Sequence, residues 1–183
     1  MILRWKIFIF LILLGGPVVQ AETDRQMRRA IQDVLSQRHP TEGEAWWRAL
    51  GKNAPKVVTA MFKETEALYQ KLRLVEALGY FDDPDAVKFL KSLFMSTTNS
   101  VVRQSVLRSL AMSQKMKEES FLTEALSDSD PHTRLAAALA LRGTGEPNAL
   151  TIVDNYKKGE KTAWVLTRLN AKPISPGKID RQR

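Results

Sequence analysis

Four short stretches of this chain superpose on one another, and that self-similarity limits the possible folds more than any other feature. Ala49-Leu50-Gly51, Ala77-Leu78-Gly79, Ser109-Leu110-Ala111 and Ala140-Leu141-Arg142 place their leucines 28, 32 and 31 residues apart. Pro55, Pro84 and Pro147 follow three of these leucines within five or six residues. Each proline begins a new apolar-periodic stretch, where a missing N–H and a fixed φ suit the first turn of a helix. Asp83 and Asp130 stand before Pro84 and Pro131, ready to accept from the first free N–H groups. The unit is therefore helix, short turn, helix. A pair of this size cannot bury its own apolar stripe, so successive pairs must stack into a solenoid with one continuous core.

The rest of the chain keeps the helical period. Met27, Ala30, Ile31, Val34 and Leu35 stripe a first helix over residues 24–37, with Thr23 or Asp24 available as its N-cap. Leu72, Val75, Ala77 and Leu78 repeat the spacing, as do Ala86, Val87, Leu90 and Leu93. No segment alternates in the manner of a hairpin, so the expected class is all-α. The run Leu135–Leu141, rich in alanine, fits close helix packing.

The residues resemble HEAT-like repeats, in particular the short variety of the phycobiliprotein lyases. Asp128-Ser129-Asp130-Pro131-His132-Thr133-Arg134 and the alanine-rich helix after it, then Gly143-Thr144-Gly145-Glu146-Pro147, carry the strongest match. Val101–Leu110 matches the same first helix, and Leu74–Val87 matches the junction between two helices. The likeness covers roughly residues 43–170. It implies a short right-handed α-solenoid of stacked helix-turn-helix repeats. It also implies a ladder of Asp and Arg between successive turns, with Lys71, Arg103 and Arg134 in the Arg position and Asp128 in the Asp position. Thr65 and Thr98 stand where two further acids belong, which leaves that ladder incomplete. Some related scaffolds carry chemistry, such as bilin lyases and DNA glycosylases, but that is likeness of fold alone.

The first 21 residues read as an address. They hold Arg4 and Lys6 but no acid, then an apolar run from Ile7, a Gly15-Gly16-Pro17 break, and Val19 and Ala21 at the −3 and −1 positions of a cleavage site. The uncharged stretch Ile7–Val19 is shorter than the ~18 residues of a membrane-spanning helix. The expectation is a signal peptide over 1–21, with export to the periplasm or beyond. An uncleaved anchor, with membrane association, is the alternative. The expected organisation continues with a capping helix over 22–42, a repeat domain over 43–170 and a flexible basic tail over 171–183.

The chain carries 28 Lys and Arg, 20 Asp and Glu, two His and no Cys. Without cysteine, disulfides, thiolate metal sites and thiol nucleophiles are excluded. Residues 22–150 hold 18 bases and 17 acids, whereas residues 151–183 hold eight bases and three acids. A body so nearly neutral is not one that wraps nucleic acid. His132 beside Asp128 and Asp130 suggests a metal or acid–base site, but acids at a helix start are ordinary caps. Gly159-Glu160-Lys161-Thr162 resembles the end of a P-loop, yet the glutamate breaks the motif and no strand precedes it. No nucleophile elbow or zinc-protease helix is present. Neither cofactor, metal nor catalysis is expected.

One stretch suggests binding. Residues 86–117 contain Lys88, Lys91, Arg103, Arg108, Lys115 and Lys117 and no acid. Lys88 and Lys91 lie on a second helix of a repeat, which in solenoids lines the concave side, and offer a positive strip to an acidic partner. A merely solvated face is the plainer reading. Trp46 and Trp47 point about 100° apart on a helix, so one is expected in the core and Trp46 or its neighbour outside as a contact. The expected function is an exported scaffold that binds a protein or peptide through its repeat surface. The alternatives are a binder of anionic envelope polymer or lipid headgroups, or an enzyme on a HEAT-like scaffold.

Overall fold

The computed structural model describes residues 17–37, 42–113 and 118–171. Among them are ten α-helices, one 3-10 turn and no strand, so the protein is all-helical as its periodicity requires. The chain divides into two compact units, Met1–Gln114 and Lys115–Arg183. Residues 1–16 of the expected signal peptide, His39, Lys115, Lys117 and residues 172–183 of the expected tail lie outside the described residues.

The first unit contains α1 (Pro17–Ser36), α2 (Glu44–Ala49), α3 (Ala54–Glu64), α4 (Leu68–Leu78), α5 (Pro84–Ser96) and α6 (Ser100–Ser113). Because α1 already begins at Pro17, Thr23 and Asp24 lie inside it and do not cap it. Asp24 instead accepts from the Asn53 side-chain amide in the turn before α3. At Pro84 the expectation holds in detail: Asp83 is extended, and its carboxylate accepts from the Ala86 N–H at 2.8 Å. Asn99 does the same for α6, accepting from the N–H groups of Val101 and Val102.

Packing in this unit links each helix both to its neighbour and to the helix two along. α3 packs on α4 and on α5, and α4 packs on α5 and on α6. Ile31, Val58, Leu74, Leu78, Leu90, Val106 and Leu107 are wholly buried where these helices meet. The tightest point lies between α4 and α6. A Cβ built on Gly79 would sit 2.9 Å from Ser109 Cα and 3.0 Å from Ser109 O, so only glycine allows the two main chains to come so close. Of the repeat leucines here, Leu78 and Leu110 are buried and Leu50, at the end of α2, is half-buried.

The second unit contains α7 (Glu119–Glu124), the 3-10 turn Ala125–Ser127, α8 (Pro131–Thr144), α9 (Pro147–Gly159) and α10 (Ala163–Asn170). α8 is its centre and packs on α7, the 3-10 turn, α9 and α10. Ala137, Ala138, Leu141, Ala149 and Val165 are fully buried, so the alanine run does permit close approach. α8 ends at Gly145, whose φ of 72° is left-handed, a conformation that stops a helix and favours glycine.

Candidate functional site

The sequence places exposed cations on helices α3 and α5, and the structure shows what lies between them. Lys56 and Lys63 stand seven residues apart on α3, hence on one face, and Lys52 precedes them in the turn. Together with Pro55, Thr59, Ala60, Asp83, Asp85 and Ala86 they line a groove of about 370 Å³. All three lysines are exposed, and no ion pair holds any of them among the described residues. The Lys63 ammonium lies 5.8 Å from the centre of the Phe89 ring on α5, an attraction that draws it toward the groove. On the facing wall Asp83 is occupied with the α5 cap, and Asp85 is exposed in the first turn.

The lysines expected to bind a partner are arranged differently from this triad. Lys88 is exposed on α5, whereas Lys91 is half-buried. Trp47 is buried at 2% exposure and Trp46 is half-buried, the two rings meeting edge to face at 4.9 Å and 89°. Trp47 thus belongs to the core, as expected of one of the pair, whereas Trp46 is half-buried at its margin and not fully outside.

The residues expected to form a ladder sit at equivalent turns. Thr65, Thr97, Asp128 and Glu160 each stand three residues before a helix start, and Lys71, Arg103 and Arg134 follow the first three by six residues. The equivalent threonine is thus Thr97, one residue earlier than expected. The Thr97 hydroxyl accepts from the Asn99 N–H, Asp128 from the Asp130 N–H at 2.9 Å, and Glu160 from the Thr162 N–H at 2.7 Å. One geometry therefore recurs with three side-chain chemistries.

Arg134 makes the most of its turn. Its guanidinium donates to both Glu160 oxygens at 2.8 and 3.0 Å, to the carbonyls of Asp128 and Ser129, and to the Thr162 hydroxyl at 2.9 Å. The Tyr156 hydroxyl also donates to Glu160. With side chains 17% and 3% exposed, the pair is largely removed from water. The Arg134 hydrogen bonds hold the Glu160 carboxyl far below the usual carboxylate range, overcoming the opposing effect of burial. Burial, followed by the bond to Glu160, pushes the Tyr156 phenol up to about 12. The expected acid of this turn, Asp128, meets Arg134 through its main-chain carbonyl, and Glu160 supplies the carboxylate.

Lys71 and Arg103 occupy the same position on α4 and α6. Lys71 approaches Glu66 at 3.5 Å and the Phe62 ring at 5.8 Å. Arg103 donates to the Phe94 carbonyl at 3.2 Å and stacks over the Phe94 ring at 4.1 Å.

His132 is exposed, with its ring 4.7 Å from that of Trp164 at 40°. Asp130 caps α8 through the His132 N–H and the Thr133 hydroxyl. Burial opposes the charge on Asp130, yet these bonds still lower its pKa. The acids near His132 thus serve the turn and the helix end. Among the described residues no group of three or more His, Asp or Glu is placed to hold a metal, and no helix is long and apolar enough to cross a membrane.

Comparison of the chain with protein-family models, with curated proteins and with solved structures finds no match.

Proposed function

We propose that this protein is an exported scaffold, a HEAT-like α-solenoid that binds another protein or peptide through its repeat surface without catalysing a reaction. The observation that carries the reading is the recurrence of one turn geometry at Thr97, Asp128 and Glu160, each before a first helix of a pair. The packing of α3 on α5 and of α4 on α6 supports it too, because stacked repeats bring each helix against its counterpart one repeat later. Export rests on residues 1–21. Binding rests on the exposed Lys56 and Lys63 of α3, which no ion pair holds among the described residues.

The test places a photo-crosslinking amino acid at Thr59 and, as a control, at Glu124, in cells that make the protein. One discrete adduct from Thr59, with an envelope protein, is the expected result. If a scan of further surface positions also yields no discrete adduct, the reading falls. The mass of the mature N-terminus tests export separately: a chain beginning at Glu22 is expected, and one retaining Met1 would mean the segment is kept as an anchor. The second reading, an anionic polymer or headgroup as ligand, draws on the excess of five positive charges over residues 151–183. Its retention would fall steeply with salt.

A further inference from the structure

We infer that the groove between α3 and α5 is a docking site for an acidic helical segment of a protein partner, held by Lys52, Lys56 and Lys63. The inference rests on the proposed scaffold role and deepens it by naming the site and the chemistry that fills it. Three exposed ammonium groups line one side of a groove about 370 Å³ in volume, and none is neutralised by an ion pair among the described residues. The acids nearest in sequence are engaged elsewhere: Glu64 binds Arg28 through both oxygens, and Glu66 approaches Lys71. The lysine wall of the groove therefore keeps its charge without an ion pair among the described residues, with Asp83 and Asp85 on the wall across from it.

Spacing and floor select the shape of the occupant. Lys56 and Lys63 are two helical turns apart, about 10.5 Å along α3. A helix lying along α3 offers carboxylates at that interval from residues seven apart. The floor of Thr59, Ala60 and Ala86 is small enough for another helix to come close. The opposite wall selects the class of partner. Asp85 is exposed there beside Asp83, and both repel a ligand that is negative all round, such as polyphosphate or a sheet of anionic headgroups. A polypeptide helix avoids that conflict, because its acids occupy one face only. Lys88 and Lys91 do not line this groove, which is distinct from the strip expected from the stretch without acids.

The test uses a fluorescent alanine-based helical peptide with glutamates at i, i+4, i+7 and i+11, a peptide of the same composition with the glutamates spread around the helix, inorganic polyphosphate, and phosphatidylglycerol vesicles. The full-length protein should bind the first peptide saturably at low salt, and at least about fivefold more tightly than the second. Lys56→Glu with Lys63→Glu should weaken it at least tenfold, Lys56→Ala with Lys63→Ala by less but in the same direction, and Lys88→Glu less than twofold. Circular dichroism of each variant checks that these exposed changes leave the helices intact. Asp85→Asn should raise polyphosphate binding more than peptide binding. Absence of saturable peptide binding, insensitivity to the paired lysine changes, or tighter binding of polyphosphate or vesicles than of peptide at equal charge would each overturn the site. If the Thr59 adduct in cells survives the paired lysine changes, the groove is rejected while the scaffold reading stands. Loss of every adduct at every position rejects the scaffold reading itself.

Discussion

The two compact units secure equivalent turns in different ways. In the second, a guanidinium held by two carboxylate oxygens, two carbonyls and a hydroxyl ties the start of α8 to the turn before α10. In the first, the equivalent position after Thr65 holds Lys71, which approaches Glu66 at 3.5 Å and the Phe62 ring at 5.8 Å. Its own bidentate ion pair, Arg28 with Glu64, lies at the surface, where water and salt weaken it. What fixes the first unit instead is main chain against main chain at Gly79 and Ser109. A repeated turn thus constrains geometry more than chemistry, and the two solutions respond to different perturbations.

The largest contrast should come from Arg134→Ala, which leaves Glu160 buried without its cation. A loss of about 3–5 kcal/mol is expected for the second unit, read as faster amide exchange in α8 and α10. Lys71→Ala should lose about 1 kcal/mol or less, since it gives up a long surface approach to Glu66 and one ring contact. Equal losses at the two positions would abolish the distinction. Gly79→Ala comes next, at about 1–3 kcal/mol, because the new methyl meets main-chain atoms that cannot turn aside. Its effect should centre on α4 and α6 and spare α8.

Acid sharpens the comparison further. The Glu160 carboxyl is held below its ordinary value of 4.5, so the unfolded chain takes up the proton more readily than the folded one. Its contribution is whole above that value and is lost as the pH falls toward the lowered folded one. Between about pH 5 and about pH 3 the second unit should therefore lose protection faster than the first, and Glu160→Gln should remove that extra slope. An unchanged slope in the variant would place the acid sensitivity elsewhere. The smallest effects are those of the caps. Asp83→Ala and Asp130→Ala should each lose about 1 kcal/mol, with Asp130 the larger because it also accepts from Thr133, as thermal melts would register.

Much of this was legible in the residues. Proline after an acid marked the starts of α5 and α8, since both groups act within one turn of chain. Arg134 was legible as a turn residue, but its partner was not. Glu160 lies 26 residues away, inside a Gly-Glu-Lys-Thr stretch that attracts a phosphate reading, and only folding brings the two together. The groove lysines escaped for a related reason. Lys52, Lys56 and Lys63 share with Arg48 the acid-free stretch 45–63, which is shorter than 86–117 and closed by Glu44, Glu64 and Glu66. It takes the fold to turn Glu64 toward Arg28 and leave the lysines without an ion pair among the described residues. Lys88 and Lys91 drew attention by linear charge, yet their helix places Lys91 half inside.

The contact at Gly79 bears on how much this sequence can drift. A saturation library should be depleted at that position, and the more so the larger the side chain, because even the smallest added carbon meets backbone. Gly143 and Gly159, with open space around them, should accept almost any letter. Distant descendants of this chain would then be recognised less by their leucines, which have many substitutes, than by a glycine kept where two main chains meet.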